Sequence, residues 1–204
     1  MGEKKLTGYS SIDKPWLQYY SEEAIHSPLP DGSMYDYMTA CNAGRLDEPA
    51  LNYFGRKITH RQLQTEIDRC ARALIACGVK AGDVVSLCLL AVPEAVYLLY
   101  AVNKLGAVAN LLSPICTDEA IKEQILSTDS KLVIANDVIA GKVSAAKAVK
   151  PDIQIVTVSL AQSAPMPLAG FLRMKGPKLS VPHTNWNQFS SRGKNRVLPE
   201  VHPT

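Results

Sequence analysis

The sequence predicts an α/β fold in which a mostly parallel sheet is covered by helices on both faces and follows an N-terminal β-hairpin. Two observations predict it. The most apolar stretch, Asp83–Pro114, has the pattern strand, helix, strand. Strand and helix patterns then alternate as far as Leu160. Because parallel strands need a crossover connection that is usually helical, this alternation predicts consecutive βαβ units.

The stretch Asp83–Pro114 could also be considered as a membrane span. A spanning helix needs about 20 consecutive apolar residues. Between the two ends of the stretch, however, the apolar runs are interrupted by the charged residues Glu94 and Lys104. The stretch therefore predicts the core of a globular domain, and the sequence predicts no transmembrane segment.

The periodicity within this stretch assigns three elements. The continuous apolar run Val84–Leu90 is typical of a strand buried on both faces. Pro93 suits the first turn of a helix, and Gly106 suits its end. Val108–Leu112 predicts a second buried strand, and Lys104 is expected near the helix end in solvent. The buried helix face is predicted to carry Val96, Leu99, Tyr100 and Asn103, widened by Ala95, Leu98 and Val102.

Two elements are predicted before the first long helix. Ser33 can cap a short helix over Met34–Cys41. The alternating residues around Gly55 and Arg56 predict a hairpin. Glycine at the first central position of its two-residue loop favours a type II′ turn.

The long helix that follows is marked at both ends. Thr59 and Gln62 have the spacing of a capping box, and Gly78 suits the left-handed residue that ends a helix. The stripe predicted to be buried consists of Leu63, Ile67, Cys70, Ala71 and Leu74.

After the apolar stretch, Thr117 caps a predicted helix that carries Ile121 and Ile125. A strand over Lys131–Asp137, a helix over Ala140–Val149 and a strand over Ile153–Leu160 complete the alternation.

Three segments are predicted from these patterns: an N-terminal arm (1–32), an α/β subdomain (33–160) and a basic, proline-containing loop or linker (161–204). The last segment holds six of the 13 prolines, six of the 22 basic residues and one of the 19 acidic residues. It shows no long apolar stripe. The basic character of the chain is therefore predicted to belong to its last segment.

Composition excludes several classes of protein. The positive charge lies in the last segment rather than on a basic face with interleaved aromatic residues, so no nucleic-acid binding is predicted. The five cysteines contain no C-x-x-C pair, which favours reduced thiols over disulfides or a zinc site. No signal peptide is recognised at the start of the chain, and the expected compartment is the cytoplasm.

The sequence indicates no catalytic, cofactor-binding or metal-binding residue. It contains no G-x-G-x-x-G, no G-x-x-x-x-G-K-[ST] and no G-x-S-x-G. The segment SSRGKN (190–195) has the residue types of a phosphate loop, but no predicted strand precedes it, and a solvated loop is the interpretation. The histidines (His26, His60, His183 and His202) lack ligand spacing.

The order of the pieces nonetheless resembles the N-terminal region of the AMP-forming acyl-CoA synthetases and other adenylate-forming ligases. The resemblance covers about residues 33–160. It is carried by the hairpin running into "ITHRQL", by "LIACGVKAGDVV", by "PE" at a helix start, and by "LGAV" before a strand that ends in proline. The phrases "LAVPE" and "SPICTDEA" depart from the usual family pattern and leave the substrate open.

The resemblance implies ATP-dependent activation of a carboxylic acid through an acyl-adenylate, followed by thioester formation with CoA. ATP, Mg and CoA are implied for the full-length enzyme and no cofactor for this chain, because the family's phosphate loop and later motifs are absent from it. The implied partners are the remaining segments of the same full-length chain and a carboxylic acid; a homo-oligomer is also compatible.

Two alternatives belong to other classes. One is a stand-alone interaction module that has this fold and no catalysis. The other is a Rossmann-type dehydrogenase domain, which the missing glycine fingerprint disfavours. Continuation of the reading frame into a Thr/Gly-rich loop would separate the ligase from the module.

Overall fold

The computed structural model describes residues 6–28, 31–166, 168–174 and 182–198. The chain divides between Asp31 and Gly32 into two units. The first unit contains α1 (Ser10–Asp13), a 3-10 turn (Pro15–Tyr19) and α2 (Glu22–His26), and none of the residues in these elements is buried.

Within its described residues, the second unit contains a β-hairpin, a five-stranded sheet and the helices that pack around them. Its elements are α3 (Met34–Cys41), a 3-10 turn (Ala43–Arg45), β1 (Pro49–Tyr53), β2 (Arg56–Thr59), α4 (His60–Ala76), β3 (Val84–Cys88), α5 (Pro93–Lys104), β4 (Val108–Leu111), α6 (Asp118–Ser127), β5 (Leu132–Asn136), α7 (Ala140–Val149), β6 (Gln154–Val158), α8 (Leu168–Met174), β7 (Thr184–Asn185) and α9 (Trp186–Arg192).

The sheet has the strand order β4-β3-β5-β6-β7, and every neighbouring pair is parallel. Ile134 of β5 lies between Leu87 of β3 and Val156 of β6. The chain moves outward from β3 to β4, then returns past β3 to place β5 on the other side. The predicted α/β class, with its parallel sheet and separate antiparallel hairpin, is confirmed.

Apolar residues cover both faces of the sheet. On one face, α4, α5 and α9 pack against alternate strand residues such as Ile134 and Val156. On the other, Val133 and Ala135 lie in a second cluster with residues of α6 and α7. Strands buried on both faces explain why the sequence shows continuous apolar runs in place of alternation.

The caps of the helices form as the sequence predicts. Thr59 and Gln62 make a reciprocal capping box at the start of α4, and Ser33 caps α3. Gly78, just after α4, has the left-handed φ of 91°. The predicted stripe on α4 is fully or almost fully buried at all five positions.

The predicted buried face of α5 was wrong by part of a turn. The buried residues are Pro93, Glu94, Tyr97, Leu98, Ala101 and Val102, whereas Leu99 is half-buried. Lys104 was predicted to lie in solvent, but its Nζ lies 2.5 Å from Asp68 Oδ1 and 2.9 Å from Tyr35 Oη. Both α4 and the sheet cover α5, so apolar residues occur on nearly every side of this helix. Its sequence pattern therefore does not show which side faces the sheet.

Strand β4 was predicted to be buried and is instead the edge of the described sheet. Val108 and Leu111 are 52% and 64% exposed. The strand pairs with β3 on one side. Its apolar composition alone did not distinguish an edge strand from a central one, because burial depends on the strand order.

The prediction of a loop or linker for residues 161–204 was wrong for the parts that form α8, β7 and α9. Strand β7 extends the sheet next to β6. Trp186 and Phe189 of α9 are 4% and 0% exposed within the core. The segment SSRGKN likewise begins in the last turn of α9 rather than in a solvated loop. Such short elements, anchored by two aromatic residues, carry too little periodicity to be recognised.

The hairpin turn also differs from its prediction. Tyr53 and Arg56 form its last pair, so the central residues are Phe54 and Gly55, with φ of 48° and 84°. Positive φ at both central positions is the pattern of a type I′ turn rather than type II′.

Among the helices in the described ranges, none combines the length and the apolar composition that crossing a membrane requires.

Gly193, directly after α9, lies close against the backbone of α4. A Cβ atom there would lie 2.5 Å from the backbone nitrogen of Ala73 and 2.5 Å from the carbonyl carbon of Arg72. We expect Gly193→Ala to lower the free energy of unfolding by about 1–3 kcal/mol, because the backbones must separate. Urea unfolding followed by circular dichroism measures the change.

Gly141→Ala is the matched control, since nothing lies within 4 Å of a Cβ at this position in α7. We expect it to be neutral or to raise stability by about 0.5–1 kcal/mol, because alanine is the better helix former. Equal effects of the two substitutions would contradict the close approach of α9 to α4.

Candidate functional site

The carboxyl ends of the parallel strands form the first candidate site. The chain changes direction between β3 and β5, and ligands of open α/β sheets bind outside the carboxyl ends of the strands at such a switch point. Asn136, fully buried at the end of β5, accepts a hydrogen bond from the backbone nitrogen of Leu90 (2.6 Å) and donates to the carbonyl oxygen of Val158 (3.1 Å). This amide therefore joins the loop after β3 to the ends of β5 and β6.

A polar cleft of about 320 Å³ lies beside Asn136 at the ends of β5, β6 and β7. Its lining consists of Asp137, Thr157, Ser159, Gln162, His183, Asn185, Trp186 and Asn187. It contains one carboxylate, one imidazole and several hydroxyl and amide groups. Such a lining can position a polar ligand by hydrogen bonds.

At the carboxyl end of β4, Lys142 of α7 fixes the loop that follows the strand. Its Nζ donates to the carbonyl oxygens of Pro114 (3.1 Å) and Cys116 (2.9 Å). The ammonium group on α7 therefore fixes the backbone of the loop that follows the carboxyl end of β4.

A buried carboxyl group, Glu94, lies at the start of α5. Glu94 is 2% exposed, and its Oε1 accepts a hydrogen bond of 2.5 Å from Ser163 Oγ. Its Oε2 has no hydrogen-bond partner among the described residues. Arg56 Nη1 donates to the carbonyl oxygen of Ser163 (3.1 Å), which holds the Ser163 loop over the carboxyl group.

Burial raises the pKa of Glu94 above its ordinary value, although the hydrogen bond from Ser163 and the charge of Arg56 oppose the shift. Burial also raises the pKa of the neighbouring Tyr97, with a further contribution from Glu94. A polar cavity of about 240 Å³ adjoins both residues. The carboxyl group thus stays protonated to higher pH than an exposed glutamate, which lets it donate as well as accept a hydrogen bond.

This shift gives a testable pH dependence. Between the ordinary pKa of Glu94 in the unfolded chain and its raised pKa in the fold, the folded state binds more protons than the unfolded state. Stability therefore falls as pH rises through that interval. Glu94→Gln cannot ionise, so its stability relative to the parent should increase as pH rises from the ordinary glutamate pKa of about 4.3 through the raised pKa of the folded state.

Urea unfolding at a series of pH values measures this difference. The matched control is Glu123→Gln, whose side chain is exposed on α6 and which should follow the parent throughout. A Glu94→Gln variant whose relative stability stays constant or decreases with pH would contradict the assigned shift.

Three of the thiols, those of Cys70, Cys77 and Cys88, are not activated as nucleophiles. All five cysteines are free. Burial raises the pKa of Cys88 to about 11, despite the opposing charge of Lys142, and burial also raises the pKa of Cys70 and Cys77. A thiolate is the reactive form of cysteine, and these shifts keep the thiols protonated at neutral pH.

The sequence predicts no metal-binding site. Three of the four histidines, His26, His60 and His183, lie in the described ranges, and His202 lies outside them. Across the described residues, no group of three or more His, Cys, Asp or Glu side chains could hold a metal ion. His60 is the first residue of α4.

Sequence reasoning missed the polar groups of this region. Glu94 follows a helix-starting proline, where a negative charge is favoured by the helix dipole and attracts no notice. Its partner Ser163 is 69 positions away, and no local spacing connects the two. For Asn136, the one available signal was an amide at the end of an otherwise apolar strand.

Comparison with known proteins identifies the family to which this chain belongs. Residues 39–186 match the family described as AMP-binding enzyme. This match covers more than half of the chain, so the chain belongs to the AMP-binding enzyme family. Within the family it corresponds to the N-terminal region of an AMP-forming ligase, and the predicted resemblance is confirmed.

Two curated relatives illustrate the similarity. The chain is 26% identical over 155 residues to the long-chain-fatty-acid–CoA ligase of Bacillus subtilis (strain 168), covering 76% of this chain and 28% of that ligase. It is 33% identical over 122 residues to the acetyl-coenzyme A synthetase of Penicillium chrysogenum, covering 55% of this chain and 18% of that synthetase. The chain therefore spans less than a third of the length of either relative.

Two solved structures share the fold. Coronafacic acid ligase from Pectobacterium brasiliense superposes with a TM-score of 0.65 at 19% identity, over 81% of this chain and 30% of that one. A benzoate CoA ligase from Burkholderia xenovorans LB400 gives 0.59 at 18% identity, over 72% and 29%. At these identities the similarity establishes the fold alone.

Proposed function

We propose that this chain is the N-terminal part of an acyl-CoA synthetase that activates a carboxylic acid with ATP. In this reaction a carboxylate oxygen attacks the α-phosphorus of ATP, pyrophosphate leaves, and an acyl-adenylate forms. The thiol of CoA then attacks the acyl carbon and AMP leaves. The match of residues 39–186 to the AMP-binding enzyme family carries the proposal, and the CoA ligases and synthetases among its relatives support it.

In this proposal the chain supplies a scaffold and one flank of the substrate site. Asn136 and Lys142 hold the backbone at the carboxyl edge of the sheet, and the adjoining polar cleft is open to a ligand. The remaining segments of the full-length chain would complete the site against this edge. We further propose that the α/β subdomain extends from residue 33 through α9, because β7 and α9 contribute to the sheet and its core.

No group of three or more His, Cys, Asp or Glu side chains among the described residues could hold a metal ion. The Mg that would accompany ATP is usually held by one or two carboxylates together with the phosphates, and the proposal gives no residue of this chain that role. We also propose a reducing, cytoplasmic compartment, which the five free thiols support.

The proposal is tested with the complete reading frame that contains this chain. The purified protein should convert ATP, CoA and at least one acid from a panel of acetate, long-chain fatty acids and aromatic carboxylates into AMP and the acyl-CoA, as measured by liquid chromatography and mass spectrometry. The acid that gives the product also defines the substrate. A folded protein that forms no acyl-CoA with any of these acids would contradict the proposal.

A further inference from the structure

A third cavity lies on the outer surface where α9 packs on α4, and its lining is cationic. It measures about 510 Å³, within the range of about 300–1,000 Å³ typical of small-molecule sites. Its lining consists of Thr65, Arg69, Arg72, Asn187, Ser190, Ser191, Gly193 and Lys194. It has three cationic side chains, three hydroxyl groups and one amide, and it contains no carboxylate.

The two helices that form this cavity are fixed against each other. Arg69 Nη2 donates to Ser190 Oγ (3.0 Å), which joins α4 to α9. Gly193 brings the backbone after α9 against Arg72 and Ala73, so closely that no Cβ would fit. Residues 69 and 72 share one face of α4 because they are three positions apart. The cations therefore converge on a rigid surface rather than on a loose loop.

The charges of this cavity are poorly neutralised. Arg69 is paired with Glu66 Oε1 at 3.2 Å. Within the described part of the chain, neither Arg72 nor Lys194 forms an ion pair with a carboxylate. The three hydroxyl groups of the lining donate to backbone carbonyl oxygens of their own helices, so the positive charge comes from the cationic side chains. Two cations without a carboxylate partner favour a multiply charged anion, and guanidinium groups match the geometry of phosphate oxygens.

The lining also determines which part of a nucleotide this cavity could recognise. It contains no aromatic side chain, so it offers no platform on which a nucleobase could stack. Recognition would therefore act on the phosphates and not on the base. The size of the cavity and its separate cations suit linked phosphates better than a single one.

We infer that this cavity, defined by Arg69, Arg72, Ser190 and Lys194, is a binding site for a polyphosphate group, carried by inorganic pyrophosphate or by a nucleoside triphosphate. The inference rests on the surface of α4 and α9 and does not depend on the proposed synthetase reaction. It revises the interpretation of SSRGKN as a solvated loop, because α4 supplies the further cations that the segment itself lacks.

Isothermal titration calorimetry of the 204-residue chain with sodium pyrophosphate tests the inference. We expect saturable binding at one site that weakens as salt rises from about 50 to about 300 mM. Arg72→Gln and Lys194→Gln should each weaken binding about tenfold, the effect of losing one charge-assisted contact. Lys80→Gln, which removes an exposed lysine outside the lining, is the matched control and should bind as the parent does.

Further ligands distinguish the sources of the phosphate. ATP and GTP should bind as tightly as each other and similarly to pyrophosphate, whereas AMP and citrate should bind at least about tenfold more weakly. Several results would overturn the inference: no saturable binding of pyrophosphate, equal loss in Lys80→Gln, unchanged binding in both cavity variants, or AMP or citrate binding as tightly as ATP. Circular dichroism establishes that each variant is folded.

Discussion

Phe189→Ala is expected to lower the free energy of unfolding by about 3–5 kcal/mol, the range for removing a fully buried phenylalanine side chain. Phe189 is 0% exposed, packs 5.6 Å from the ring of Trp186 between centroids, and anchors α9 in the core beside α4. Urea or thermal unfolding measures the loss. Since small domains have total stabilities of about 5–15 kcal/mol, a loss of this size would leave much of the population unfolded on mild heating.

Phe171→Ala is the matched control, because Phe171 lies on α8 and is 56% exposed. It should cost much less than Phe189→Ala. If both substitutions had equally small effects, α9 would not belong to the core, and the segment after residue 160 would be the linker that the sequence predicts.

Leu98→Ala is expected to cost about 2–5 kcal/mol, whereas the same substitution at Leu99 should cost clearly less. Leu98 is 0% exposed and lies in the cluster formed with α4 and the sheet, whereas its neighbour Leu99 is half-buried. The pair is informative because the side chain removed is the same and only the helix face differs. Chemical unfolding of both variants under one set of conditions gives the comparison.

The reverse order of effects, with Leu99→Ala more costly than Leu98→Ala, would favour the face predicted from the sequence over the face seen in the structure. Equal effects would also contradict the structure, since they would mean that α5 is covered uniformly on both faces.

Much of the fold could be predicted because its signals are local. Thr59 and Gln62, three positions apart, define a helix start through their own hydrogen bonds. The apolar runs at β3 and β5 indicate strands covered on both faces. For the same reason the sequence could not rank those strands, and β4 was assigned to the interior although Leu111 is exposed at the edge.

The remainder of the fold depends on pairings between distant segments. Strand β7 has two residues and is recognised by its pairing with β6, while α9 is held by a close backbone approach at Gly193. The local sequence of these short segments, which lie among prolines, shows neither the strand pairing nor the close backbone approach. The environment of Lys104 was missed in the same way, because Tyr35 and Asp68 reach it from α3 and α4.

The candidate sites were even less accessible to sequence reasoning. Glu94 and Ser163 form their hydrogen bond across 69 positions, and the cationic cavity combines Arg72 of α4 with Lys194 after α9. In each case the separate residues resemble ordinary helix-end or surface groups. Family resemblance identified the class of protein, but it supplied no site residue, because the family motifs that bind phosphate are absent from this sequence.

The most direct test of the proposed function is carboxylate-dependent exchange of labelled pyrophosphate into ATP, measured for the 204-residue chain and for the complete reading frame under identical conditions. We expect exchange with the complete protein and none above background with the 204-residue chain, which contains no phosphate loop of the family. Carboxylate-dependent exchange by the folded 204-residue chain alone, or its absence from the folded complete protein with every acid of the panel, would contradict this account.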